Sequence, residues 1–113
     1  MEPAAKKAKI LVVDDEEHIT DMVRVVLNQF GHEVFELNDP TKAEKKIKEW
    51  QPDLIVLDYA MPNLNGIQLL EMIRKQDNYT ATIFVSGHSD PKKIVEVLNA
   101  GADDYIKKPF AFD

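Results

Sequence analysis

A chain of 113 residues, 44% of them hydrophobic, makes one domain of ordinary size with room for a real core. It has no cysteine, which excludes disulfides and thiolate metal sites and fits a reducing compartment such as the cytoplasm. A formal net charge of −6 argues against direct contact with nucleic acid, and no apolar run approaches the ~20 residues that would span a membrane.

Residues 1–8 carry lysines but no apolar stretch, so they read as a short disordered lead-in and not as a signal peptide. The first strand is KILVV, Lys9 to Val13, followed at once by Asp14, Asp15, Glu16 and Glu17. Negative side chains suit the first turn of a helix. A helix is expected there, with Ile19, Met22, Val23, Val26, Leu27 and Phe30 on one face and Gly31 at its end. EVFEL, Glu33 to Leu37, alternates polar with apolar residues, the pattern of a half-exposed edge strand. Asp39 and Pro40 supply an N-cap and a first-turn proline for a second helix. Its narrow apolar face is Ala43, Ile47 and Trp50, and Gln51-Pro52 stops it.

The third strand contains Leu54 to Leu57, four apolar residues that run straight into Asp58. A short continuous apolar run reads as a strand buried on both faces of a parallel sheet. Asp58 is expected where that strand leaves the core and opens to water, because lone carboxylates are rarely buried. The loop Tyr59 to Gly66 is rich in turn formers, and the third helix, from about Ile67 to Lys75, turns Ile67, Leu70 and Ile73 inward. Strand four is Thr82 to Val85, ending at Ser86-Gly87. Asp90-Pro91 opens a fourth helix with Ile94, Val95 and Leu98 inward and Gly101 at its end; a short fifth strand, Asp104 to Lys107, leads into Lys108-Pro109-Phe110.

Repeated β-α units predict an α/β fold, a doubly wound five-stranded parallel sheet. The apolar strands one, three and four belong in the centre and the mixed strands two and five at the edges. That gives the flavodoxin-like order 2-1-3-4-5. Ligands of such sheets bind beyond the carboxyl ends of the strands. Those ends here carry Asp14 and Asp15, Asp58, Ser86 and Lys108. Crowded carboxylates repel each other, and a hard divalent cation with oxygen ligands relieves the repulsion. Mg²⁺ fits, since it keeps several waters and accepts phosphate oxygens. With an ammonium and a hydroxyl nearby, a free carboxylate becomes the nucleophile of a phosphoryl transfer that forms an aspartyl phosphate.

These motifs resemble the receiver domain of two-component response regulators. The matching residues are Asp14-Asp15, LDYAMPNLNG around Asp58, Ser86 and DYIKKPF, spanning Lys9 to Phe110 in a domain taken as residues 9–113. The resemblance implies that Asp58 accepts phosphate from a sensor histidine kinase or a phosphotransfer protein. It implies Mg²⁺ bound by Asp15, Asp58 and the Ala60 carbonyl, with Asp14 assisting through water. It implies that Lys108 pairs with the phosphate and that the bond to Pro109 is cis. A switch would move Ser86 toward the phosphate and turn Tyr105 inward, altering the face read by a downstream effector domain or protein. Lys107 competes with Lys108, and the resemblance favours the lysine that directly precedes proline.

Each residue also has a plainer reading: Asp14 and Asp15 as helix caps, Ser86 as a loop start, Tyr105 as an edge aromatic. Two other functions are weighed. A haloacid-dehalogenase-like aspartyl-phosphate phosphatase needs a second Asp two residues after the nucleophile, where this chain has Ala60. A flavodoxin-type electron carrier needs a hydroxyl- and glycine-rich phosphate loop after strand one, where this chain has four acidic residues. The resemblance further implies a fifth helix after Phe110. The sequence ends at Asp113, so the expectation is a truncated piece of a longer chain, without that helix and with the sheet uncovered beside helix one.

Overall fold

The computed structural model describes residues 7–59, 61, 65–76, 80–86 and 91–107, with backbone alone at 86, 91, 93 and 107. Five strands, β1 (Lys9–Val13), β2 (Glu33–Leu37), β3 (Leu54–Asp58), β4 (Ala81–Ser86) and β5 (Asp104–Lys107), form one sheet. Its order is β2-β1-β3-β4-β5 and every pairing is parallel. The helices are α1 (Glu17–Gln29), α2 (Ala43–Trp50), α3 (Gly66–Lys75) and α4 (Pro91–Asn99).

Alternation along the strands divides the core in two. Leu11, Val13, Ile55, Leu57 and Phe84 pack with Ala43, Ile47, Leu70, Ile73 and Val97 from α2, α3 and α4. Ile10 and Val12 turn the other way, toward Val23 of α1. One face of the sheet therefore lies under three helices and the other under α1. Beside α1 an apolar groove of about 180 Å³ runs across the sheet, lined by Val26, Leu27, Val56, Ile83, Val85 and Ile106 among others. Among the described residues no second helix covers it.

Several local expectations need correcting. Val95 and Leu98 do not face inward: they are 55% and 44% exposed, while Val97 is fully buried. At 100° per residue Val97 and Val95 cannot share a face, and the sheet takes the stripe of Ile94 and Val97. Phe30 is 69% exposed, because it lies one residue beyond α1, at the C-cap. Asp39 and Pro40 open a 3₁₀ turn, Pro40–Lys42, ahead of α2; Asp39 accepts the Thr41 N–H and hydroxyl at 3.0 and 2.6 Å. Gln51 ends α2 in the left-handed region, at φ 51°.

The amino-terminal end of β4 is tied down by one arginine. Arg74, in the last turn of α3, donates to the Thr80 and Gly101 carbonyls at 3.1 and 3.0 Å and lies 3.8 Å from the Asp103 carboxylate. Asp103 in turn accepts the Thr82 N–H at 2.8 Å. Arg74→Ala would strip the donor from two backbone carbonyls and the ion-pair partner from Asp103 at once. It is expected to lower the free energy of unfolding by about 1–3 kcal/mol, measured by urea titration. A loss inside the error of that titration would show that water replaces the guanidinium without cost.

Candidate metal and phosphoryl site

The register brings the acidic residues level with one another. Val13 of β1 pairs with Leu57 of β3, so the next residues, Asp14 and Asp58, leave their strands side by side. Asp58 itself pairs with Val85, which puts Ser86 one step further along β4 and level with Lys107. Carboxylate oxygens of Asp14, Asp15 and Asp58 all come within 4.8 Å of one another. Asp14 and Asp58 are only 3% and 7% exposed, so the opening of Asp58 to water expected from the sequence is not what the structure has. Asp15 is the exposed member of the three.

Backbone geometry holds the cluster in place. The Asp14 N–H donates to the Leu37 carbonyl at 3.1 Å, and Asp14 Oδ1 accepts the Glu16 N–H at 3.0 Å at the entry to α1. The Asn38 side-chain amide donates to the Asp14 carbonyl and to the hydroxyl of fully buried Thr20, at 2.9 and 3.1 Å. Neither Asn38 nor Thr20 stood out in the sequence. A threonine on the inner stripe of an otherwise aliphatic helix was the available signal, since a buried hydroxyl needs a partner.

Gly66 is the third residue that pattern reading undervalued. It is buried at the start of α3, where Asn65 and Gln68 form a reciprocal capping box. Its N–H donates to the Tyr59 carbonyl at 3.0 Å. A Cβ built there would lie 2.5 Å from the Asp58 carbonyl oxygen and closer still to the Phe84 ring. The glycine is needed for a close approach and not for a positive φ, and that approach presses the end of β3 against α3.

Partial loss of hydration raises the Asp15 carboxyl above the ordinary carboxylate range even though the residue is exposed overall, and the neighbouring Asp14 carboxylate adds to the shift. All three residues offer hard oxygen donors, two of them out of water, and the crowding is of the kind a divalent cation relieves. Tyr105 on β5 is half-buried against the larger core cluster, on the α4 side of the sheet. Ala60, Lys108 and Pro109 lie outside the described residues, as does the Ser86 side chain. No described helix is long and apolar enough to cross a membrane.

Known proteins share this fold. The family described as response regulator receiver domain matches residues 10–113. The transcriptional regulatory protein TrcR of Mycobacterium tuberculosis is 35% identical over 105 residues, 93% of this chain and 41% of the relative. The alkaline phosphatase synthesis transcriptional regulatory protein PhoP of Bacillus subtilis is 39% identical, over 91% of this chain and 43% of its own. The chain thus spans less than half the length of these curated relatives. Among solved structures, the receiver domain of the Francisella response regulator 1452 has a TM-score of 0.88 at 34% identity, covering 93% of this chain and 87% of that one. Chemotaxis protein CheY4 of Vibrio cholerae has a TM-score of 0.88 at 31% identity, covering 94% and 90%. On the family match, the relatives and the fold together, this chain belongs to the response regulator receiver domains, the signalling switches of two-component systems.

Proposed function

We propose that this domain takes a phosphoryl group onto Asp58 from a phosphohistidine on a sensor kinase or phosphotransfer protein, in a Mg²⁺-dependent reaction. The observation that carries the reading is the meeting of Asp14, Asp15 and Asp58 at the carboxyl end of the sheet. An Asp58 carboxylate oxygen forms the new bond to phosphorus as the donor's P–N bond breaks, and the bonding pair leaves with the imidazole, which takes up a proton. Asp15 and Asp58, with the Ala60 carbonyl, would hold the Mg²⁺, and Asp14 would assist through water. The bound ion supplies charge neutralisation at the carboxylates and at the phosphoryl oxygens.

Lys108 is assigned to pair with the transferred group, in preference to Lys107, because it directly precedes Pro109. Ser86 and Tyr105 are assigned to the switch that follows. The level pairing of Phe84 with Tyr105 favours this, since it sets Tyr105 on the strand beside the site. A change there biases a two-state element that an effector domain or protein then reads. The work is placed in the cytoplasm.

The test is incubation with Mg²⁺ and a small acyl-phosphate donor, read by intact mass. One phosphoryl group is expected on the parent protein, none on Asp58→Asn and none in chelator. Equal labelling of the Asn variant would move the acceptor elsewhere. The dehalogenase-like phosphatase reading has no observation in its favour.

A further inference from the structure

We propose that the outer edge of β2, with the lysine-lined groove between it and α2, docks an extended acidic segment of a partner protein. The inference does not depend on phosphorylation. Among the described residues β2 ends the sheet, with β1 on one side only. The Glu33 N–H donates to the Ala8 carbonyl at 2.9 Å, and the Leu37 carbonyl accepts the Asp14 N–H at 3.1 Å. Alternate residues of a parallel strand bond to alternate sides. Glu33, Phe35 and Leu37 therefore bond inward, and Val34 and Glu36 turn their N–H and C=O groups outward. Those four groups are a template for strand addition.

The side chains beside that edge select by charge. The groove has a volume of about 550 Å³ and is lined by Phe35, Leu37, Lys42, Lys45, Lys46 and Glu49 among others. Three ammonium groups face one carboxylate in the groove, in a chain of net charge −6, and that carboxylate, Glu49, is already 3.8 Å from Lys45. The two glutamates of β2 itself are paired as well, Glu33 4.0 Å from Lys7 and Glu36 2.9 Å from Arg24. Lys46 Nζ lies 3.7 Å over the Phe35 ring and 5.4 Å from that of Trp50, so its charge rests on the aromatic floor of the groove. Among the described residues no lysine hydrogen-bonds to the Val34 or Glu36 carbonyl. Edge lysines ordinarily deter pairing with a like edge. A second copy docking edge to edge would bring two sets of lysines together. An acidic strand meets the opposite condition, with backbone bonds for affinity and ammonium groups for its carboxylates.

Trp50, the single tryptophan, sits beside the groove with its ring 6.0 Å from Phe35 and reports on it directly. The experiment titrates the protein with a short capped peptide of alternating Asp and Val. Trp50 emission and backbone amide resonances are followed. Saturable shifts are expected at the amides of Val34 and Glu36. Affinity should fall about tenfold in a Lys42→Glu, Lys45→Glu double variant, since both residues are exposed and near-surface charges act at that scale. N-methylating the peptide on its pairing edge should abolish binding. Shifts confined to α2, equal binding by a Lys-Val peptide, self-association through β2 or no saturable binding would each overturn the proposal.

Discussion

Gly66→Ala is expected to unsettle the carboxyl end of β3, where the proposed acceptor Asp58 sits. Alanine favours a helix over glycine by up to about 1 kcal/mol, which would by itself stabilise α3. The added Cβ must instead displace the Asp58 carbonyl or the fully buried Phe84 ring. Overpacking of that kind costs about 1–3 kcal/mol, so the clash wins and the free energy of unfolding falls. The same displacement moves the proposed acceptor. Misplacement on the ångström scale can cost on the order of a hundredfold in rate, so acyl-phosphate labelling of Asp58 should slow by tenfold or more. Gly31→Ala is the control. Gly31 has φ 86° with nothing within 4 Å of a built Cβ, so alanine there introduces backbone strain alone. It should cost about 1 kcal/mol and leave labelling unchanged. If both variants label alike, the contact between Gly66 and Asp58 has no part in positioning the acceptor.

Mg²⁺ is expected to raise the melting temperature, and Asp15→Asn to remove that response while stabilising the metal-free protein. Partial desolvation and the Asp14 carboxylate hold the Asp15 carboxyl above its ordinary range in the folded state. The folded chain therefore binds that proton more tightly than the unfolded chain does. The group's contribution to stability is intact below the unfolded pKa and is lost as pH rises through the folded one. At neutral pH the metal-free fold carries the whole penalty. Asp15 is exposed and partly screened by solvent, so relief by Asp15→Asn should be a few tenths to about 1 kcal/mol. The advantage of the Asn variant should shrink on acidification through the same window. A metal held only by the native state adds about 2.7 kcal/mol at a hundredfold excess over its dissociation constant. That amounts to roughly 10 °C or more in a domain of this size. Calorimetry with and without Mg²⁺ at several pH values measures both. An Asn variant that gains as much from Mg²⁺ as the parent would take Asp15 out of the ligand set.

Strand order, edge against centre and the rim on which Asp14, Asp15 and Asp58 meet were legible in the chain itself. These features follow from short-range pattern: apolar runs for central strands, alternation for β2, and a parallel sheet that sends every carboxyl end to one side. Tertiary structure alone decided the rest. It chose Val97 over Val95 and Leu98 on α4, because several apolar residues compete for one stripe and only the packed sheet selects among them. It buried Asp58, joined Asn38 to Thr20 and Asp14, and set Gly66 against the Asp58 carbonyl. Each of these is a contact between residues far apart in sequence or a steric limit at a single atom, and neither leaves a periodic trace. Residue type and spacing specify which groups reach the site; how closely they approach, and how far from water, is a property of the assembled core.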